Sequence, residues 1–245
     1  MKIRLLFALF VTTCLFTACT KEDLEKILSN PALSNEEIIA GLKSALNVGT
    51  DTSVSVLNKQ DGYYKDLAVK VLLPPEAQAV YSNISKVPGG DVLLEETVIK
   101  LNRAAEDAAA EARPIFIDAI TGITIEDGLG ILNGDDTAAT FYLKGKTFTP
   151  LTGAFQPKIQ TALDKKIIGN ISASSAYDNL IKTYNTASLN GILFDKITTN
   201  TLSEHVTRKA LDGLFIKVAD EEKAIRHDPI ARVTDILKKV FGSKN

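Results

Sequence analysis

The stretch from Val206 to Val218 reads VTRKALDGLFIKV, and its apolar residues recur at spacings of three and four. This is the period of one face of an α-helix, so the stretch predicts an amphipathic helix. Its inward stripe consists of Val206, Ala210, Leu211, Leu214, Phe215 and Val218, and His205 borders it. The same period runs through most of the chain, which predicts an all-α fold.

The segments on either side extend this helical pattern. Glu36–Leu57 repeats the spacing of three and four, and Ile115–Ile123 is apolar nearly all round, which predicts a helix running through the interior. Pro114 predicts a break just before that second helix. No stretch resembles a linker or a repeat. We therefore expect a single compact bundle of about eight to eleven helices, from the segment count and the usual helix length.

Local signals predict how some of these segments begin. Val69–Leu73 is the most strand-like stretch, and we expect it to form a buried extended link. Thr124 with Asp127 three residues later resembles a capping box. Asp135 or Asp136 is expected to be the N-cap of the next helix rather than part of a calcium loop. That helix is expected to turn three side chains inward: Ala138, Phe141 and Tyr142.

The N-terminus has the features of an export signal. Lys2 and Arg4 precede an apolar run from Leu5 to Phe16, which is shorter than the roughly 20 residues of a membrane-spanning helix and suits a signal peptide. Phe16-Thr17-Ala18-Cys19 resembles the bacterial lipobox, where the signal is cut before an acylated cysteine. Cys14, inside the apolar run, is the weaker candidate.

These features predict the organisation of the chain. Residues 1–18 are expected to be a cleaved signal peptide, and residues 19–33 a lipidated N-terminus and tether beginning at Cys19. Residues 34–245 are expected to form a single all-helical domain. Thr20, rather than an aspartate, follows the cysteine, which favours an outer-membrane lipoprotein on the periplasmic face or at the cell surface.

Composition narrows the classes of function. The 245 residues include 28 Lys and Arg, 30 Asp and Glu, two His and two Cys, for a net charge of -2. This balance argues against a nucleic-acid binder that depends on a basic surface. Two cysteines cannot form a disulfide framework or a cysteine-rich zinc site. We therefore expect no cofactor, no metal and no nucleic-acid partner.

Two polar clusters are candidate sites. Arg103, Glu106 and Asp107 lie within about one helical turn, so the arginine can pair with either acid on the surface. Paired carboxylates act as acid and base only when they are buried and their pKa values differ. Solvated pairing is the favoured interpretation. A ligand site, if there is one, is expected here first, beside an alanine-rich face and the Pro114 break.

The second cluster lies between two amphipathic helices and comprises Glu221, Glu222, Arg226, His227 and Asp228. Asp228 before Pro229 is expected to cap a helix. Arg226 can pair with Glu222 or bind the last carbonyls of the preceding helix. The absence of a recognised motif favours a structural junction over a catalytic site.

Several stretches together resemble a known family. They are Gly41–Leu46 (GLKSAL), Leu73–Glu76 (LPPE), Leu101–Ala109 (LNRAAEDAA), Ile131–Tyr142 (ILNGDDTAATFY) and Ala210–Phe241 (ALDGLFIKVADEEKAIRHDPIARVTDILKKVF). The chain resembles the bacterial envelope family catalogued as domain of unknown function 4197. The resemblance implies a helical envelope protein, frequently lipidated. It implies no activity and supplies no catalytic residues.

The sequence thus predicts a lipid-anchored envelope protein, not an enzyme, that binds a partner or has a structural role. Its expected partners are the membrane, through lipid on Cys19, and either an envelope protein or a small apolar ligand. The alternative is a carrier of a small hydrophobic or lipid-like molecule between helices, suggested by Ile115–Ile123. A carrier predicts an apolar cavity of about 300 Å³ or more. An enzyme would need two or more of the cluster residues to converge in one cleft.

Overall fold

A computed structural model describes residues 34–165, 172–198 and 202–232, together with residues 234, 235, 238 and 240. Asn35–Asn245 group into one compact unit. The predicted signal peptide, Cys19 and the tether lie outside the described residues, so these remain predictions.

The described part of the chain contains eight α-helices. They are α1 (Asn35–Leu57), α2 (Ala79–Asn83), α3 (Gly90–Ala108), α4 (Ala112–Thr121), α5 (Ile125–Asn133), α6 (Ala138–Asp164), α7 (Ala173–Ala187) and α8 (Leu202–His227). Short 3₁₀ turns lie at Pro75–Ala77, Ile84–Lys86, Ala109–Glu111 and Pro229–Ala231. No β-strand occurs among these residues. The all-α prediction is confirmed.

Helix α6 lies at the centre of the packing, against α8, α3 and α4. The predicted stripe of α8 is buried along its whole length, from Val206 to Val218. Phe215 in that stripe contacts Phe116 of α4 edge to face, with ring centroids 6.0 Å apart. Each such large apolar side chain stabilises the fold by about 1.5–3 kcal/mol when buried. The core is therefore organised around the stretch that predicted it.

Helix α4 differs from its prediction. Phe116, Ile120 and Ile123 are buried, but the Ile117 side chain is 52 % exposed. The helix packs on one side only, against α1 and α6, so its opposite face meets solvent. The expectation of a helix running through the interior was wrong. The break before Pro114 is confirmed, because the 3₁₀ turn Ala109–Glu111 separates α3 from α4.

The buried link Val69–Leu73 is confirmed in part: Val71 and Leu73 are buried outside any helix, but Val69 ends a turn and Leu72 is exposed. A side chain holds its backbone. Oδ1 of the buried Asn102 accepts a hydrogen bond from the Val71 N–H at 2.8 Å, and its Nδ2 donates to the Val71 carbonyl at 2.8 Å. The amide thus replaces a neighbouring strand. Gly213 of α8 lies beneath the link, where an added Cβ would stand 3.0 Å from the Val69 Cβ. A glycine there lets the link lie directly on α8.

Candidate functional site

The first predicted cluster is a buried clamp between α3 and the turn after α1. Arg103 Nη1 donates to Glu106 Oε2 at 2.6 Å, and Arg103 Nη2 donates to Asp61 Oδ1 at 2.5 Å. Glu106 Oε1 accepts from the backbone N–H groups of Tyr63 at 3.2 Å and Tyr64 at 3.3 Å. We call Asp61, Arg103 and Glu106 the Glu106 cluster.

Burial sets the electrostatics of this cluster. Glu106 is only 4 % exposed, so the expectation of a solvated pair was wrong. Burial raises the pKa of the Glu106 carboxyl, while Arg103 opposes that shift. Hydrogen bonds from Lys65 and then Arg103 hold the pKa of Asp61 below its usual range. Asp107 points elsewhere and pairs with Lys165 at 3.3 Å on the surface.

The second predicted cluster caps a helix from a distance. Glu222 of α8 accepts the N–H of Ala139 on Oε1 at 2.9 Å, and the N–H and hydroxyl of Thr140 on Oε2, both at 2.8 Å. These are first-turn donors of α6, where an anion is favoured. Arg226 donates to Glu222 Oε1 at 2.7 Å and to the Ile131 carbonyl at 2.9 Å. We call Ala139, Thr140, Glu222 and Arg226 the Glu222 cluster.

The expected N-cap of α6 was therefore wrong. Asp135 Oδ1 accepts from the N–H and hydroxyl of Thr137, both at 2.9 Å, which closes a local turn before the helix. Asp136 Oδ1 lies 2.6 Å from His227 Nε2 in an exposed pair. The capping carboxylate comes instead from Glu222, whose distance along the chain hides it from local sequence patterns.

The remaining residues of the second cluster have separate roles. Asp228 Oδ1 accepts from the Ile230 N–H at 2.8 Å and so starts a 3₁₀ turn rather than the expected α-helix. Burial raises the pKa of the half-buried Glu221. The carbonyls at the end of α8 are bound by the buried Arg232, which donates to that of Arg226 at 2.8 Å. Of the two roles expected of Arg226, the pair with Glu222 is confirmed, and Arg232 takes the other.

The structure also contains an open groove. It encloses about 820 Å³ between residues 68–75, the first turns of α6 and the middle of α8. Its apolar lining includes Val69, Leu72, Phe141, Phe215 and Ile216. None of the predicted cluster residues from Arg103 to Asp107 or from Glu221 to Asp228 lines it. Thr140, which Glu222 binds, does line it.

Phe141 is the most exposed large apolar side chain of this groove, at 81 % exposure, so the expectation that it points inward was wrong. The reason is the Glu222 cluster, which turns Ala139 and Thr140 toward α8. Successive residues of a helix are about 100° apart, so Phe141 must face outward. On its other side lies a second open depression of about 570 Å³, lined in part by Tyr142 and Gly145.

Basic side chains surround the apolar lining. Lys70, Lys144 and Lys209 line the groove with a single carboxylate, Asp212, which is 4.0 Å from Lys209. Lys144 Nζ lies 5.6 Å from the centre of the Phe215 ring. These lysines were not predicted, because they come from three separate stretches of the chain, none of which is notably basic.

Two further features of the described ranges concern metal ions and membranes. Within them, no three His, Cys, Asp or Glu side chains are grouped so as to hold a metal ion. No helix in the same ranges is both long and apolar enough to cross a membrane.

A family model for proteins of unknown function matches residues 32–242. The chain belongs to the DUF4197 family. No curated protein and no solved structure matches it. In this DUF4197 chain, the stretches that carry the resemblance also build both clusters: Leu101–Ala109 supplies Arg103 and Glu106, and Ile131–Tyr142 meets Ala210–Phe241 at Glu222.

Proposed function

We propose that this chain is a lipid-anchored protein of the bacterial cell envelope, attached through Cys19. Its helical domain is a non-catalytic binding module, and the groove beside Phe141 is the binding surface. The proposed anchor rests on the lipobox-like sequence Phe16-Thr17-Ala18-Cys19 after a short apolar run. The proposed location in the outer membrane rests on Thr20.

The exposed ring of Phe141 is the observation that carries the binding proposal. Burying a phenyl ring stabilises a folded protein or a complex by about 1.5–3 kcal/mol, and a ring left in water does not contribute this free energy. Glu222, not this ring, binds the first turn of α6. Exposed aromatic rings beside apolar grooves are typical of interaction surfaces, where they form energetic centres.

The hydrogen bonds of Glu106 and Glu222 support a structural role for the two clusters. Glu106 accepts from Arg103 and from two backbone N–H groups. Glu222 accepts from Arg226 and from three donors of α6. A general acid or base needs an oxygen within reach of a substrate proton. These oxygens face backbone donors instead, so we assign positioning roles to both residues.

The anchor is tested by comparing two cysteine variants in the native host. Cys19→Ala should abolish fatty-acid labelling and release the protein from sedimented membranes. Cys14→Ala is the matched control and should keep both properties, because it lies within the apolar run. Labelling that survives in Cys19→Ala would contradict the proposed attachment point. Density fractionation of the labelled membranes checks the outer-membrane location.

The binding surface is tested by photocrosslinking in living cells of the host. A photoreactive phenylalanine analogue at position 141 should give an adduct, whereas the same residue at the exposed position Ile117 should not. Intact mass measurement then reports the size of the adduct. Equal adducts at both positions, or none at position 141, would overturn the assignment of this groove.

A carrier of a small apolar molecule is the second candidate. The groove volume of about 820 Å³ favours it, since small-ligand sites usually enclose about 300–1,000 Å³. The apolar run from Ile115 to Ile123 does not support a carrier, because Ile117 faces solvent and residues 115–123 do not line this groove. A lipid-sized adduct at position 141 would favour the carrier, and a protein-sized adduct the interaction module.

A further inference from the structure

We propose that the groove binds an acidic, amphipathic segment of a partner protein, with apolar side chains on both sides of Phe141. This inference rests on the proposed binding role of the groove and goes on to name the class of its partner. The charge, the shape and the rigidity of the groove each support this inference.

The charge of the groove is opposite to that of the chain. Three lysines and one aspartate line it, whereas the whole protein has a net charge of -2. Among the described residues, Lys70 and Lys144 have no carboxylate partner within ion-pair distance. Instead, Lys70 Nζ lies 4.2 Å from the centre of the Tyr64 ring, and Lys144 Nζ lies 5.7 Å from that of Phe148. Carboxylates of a partner would complement these cations.

The shape of the surface favours a polypeptide over a single small molecule. Small-molecule sites bury about 70–90 % of their ligand, and this groove is open along its solvent side. Phe141 stands between the groove and the second depression. Beside it, a Cβ added at Gly130 or Gly145 would meet nothing within 4 Å, so there is space on that side as well. A protruding ring between two depressions suits an amphipathic segment that places apolar side chains in both.

The walls of the groove are fixed before any partner arrives. The Glu106 cluster holds the turn that leads into residues 68–75, and Asn102 fixes Val71 within them. The Glu222 cluster fixes the first turn of α6, which carries Phe141. A preformed surface loses little conformational entropy on binding. This favours recognition of a segment that orders itself on the groove.

The test uses the full-length protein from its own host, reconstituted in zwitterionic nanodiscs so that detergent does not occupy the groove. A random peptide display library is selected against it, and the enriched peptides are labelled for fluorescence anisotropy. We expect enriched sequences that are net acidic, with apolar residues at helical or alternating spacing. Phe141→Ala and Lys144→Glu should each weaken binding about tenfold or more, as substitutions at the centre of an interface do.

Matched controls separate the groove from the general surface. Lys182→Glu on α7 changes the net charge as Lys144→Glu does, and Ile117→Ala on α4 removes an exposed apolar side chain. Neither residue lines the groove, so peptide binding should be unchanged in both. If Lys182→Glu weakened peptide binding as much as Lys144→Glu does, net charge alone would explain the effect, and the inference would be overturned.

Other outcomes overturn the inference in distinguishable ways. Enrichment of basic or uncharged peptides, or of none, would exclude an acidic segment. Binding of phosphatidylglycerol vesicles or oleate that requires Phe141, without peptide enrichment, would assign the groove to lipid. In these cases an adduct at position 141 would still support the proposed binding role. Loss of that adduct as well would remove the proposed function itself.

Discussion

The Glu106 and Glu222 clusters are built from the same parts and differ in what they hold. Each has a buried glutamate, an arginine within one turn of the same helix, and backbone N–H donors from a distant element. Glu222 binds the first turn of a long central helix, whereas Glu106 binds the turn after α1. Arg103 also pairs with Asp61, while Arg226 has Glu222 as its one carboxylate within ion-pair distance among the described residues.

This difference indicates which clamp the fold depends on more. When one partner of a buried ion pair is removed, the other is left charged and desolvated, which costs more than the pair itself contributes. Arg103 would retain its ion pair with Asp61 after the loss of Glu106, whereas Arg226, among the described residues, would retain a hydrogen bond to the Ile131 carbonyl but no ion pair after the loss of Glu222. The two clusters should therefore respond unequally to the same substitution.

The largest effect is expected for Glu222→Ala. Among the described residues it leaves Arg226 without a carboxylate within ion-pair distance, and it leaves the first-turn donors of α6 without the Glu222 acceptor, so the free energy of unfolding should fall by about 3–5 kcal/mol. Urea unfolding followed by circular dichroism measures this loss.

Glu222→Gln is the matched variant if Glu222→Ala fails to fold. The amide keeps an acceptor oxygen for α6 but no charge for Arg226, so its loss should be intermediate. A loss for Glu222→Ala that is smaller than that for Glu106→Ala would reverse the ranking of the two clamps.

A smaller effect is expected for Glu106→Ala. Two backbone N–H groups lose their acceptor, but Arg103 keeps Asp61, so the free energy of unfolding should fall by about 1–3 kcal/mol. Amide hydrogen exchange should accelerate at Tyr63 and Tyr64, the two residues that Glu106 binds. Unchanged exchange there, with a loss of stability, would mean that Glu106 acts through packing instead of as an acceptor.

Local patterns were sufficient for the helices and insufficient for the clamps. The stripe from Val206 to Val218 and the capping box of Thr124 and Asp127 were predicted, because their partners lie within one or two helical turns. Glu222 and Thr140 are 82 residues apart, and Arg103 and Asp61 are 42 apart. A pattern of spacing carries no information about pairs at such distances.

The error at Phe141 follows from the same limit. An aromatic residue near the start of a helix predicts an inward face, and nothing in Asp135–Tyr142 indicates its rotation. The distant carboxylate of Glu222 sets that rotation by binding Ala139 and Thr140. The groove was missed for this reason, and so was the exposed ring on which the proposed function depends.

The pH dependence of Glu106 gives a finer comparison. Burial raises its folded-state pKa above the ordinary value of 4.5, so protonation of Glu106 favours the folded state. That stabilisation is fully present below the unfolded pKa and is lost as the pH rises through the folded pKa. Glu106→Gln does not titrate, so the wild type should gain stability relative to this variant as the pH falls from neutral to about 4.

Paired urea titrations of the wild type and Glu106→Gln across this range measure the difference, in which the titration of all other carboxyl groups cancels. A difference that moves the opposite way would mean that Arg103 and the two N–H groups outweigh burial, so that the folded state favours the charged Glu106 carboxylate more than the unfolded chain does.

The smallest effect is expected for Asp136→Asn. Asp136 and His227 join the end of α8 to the turn before α6, whereas the Glu222 cluster joins α8 to the first turn of α6, and the Asp136 and His227 side chains are 47 % and 61 % exposed. An exposed pair contributes about 0–1 kcal/mol and is screened by salt. Urea unfolding should therefore show a loss below about 1 kcal/mol that shrinks further in about 1 M NaCl. If the loss equalled that of Glu222→Ala, the start of α6 would depend on this surface pair. The burial of Glu222 would then not explain why its cluster is expected to stabilise the fold more than an exposed pair.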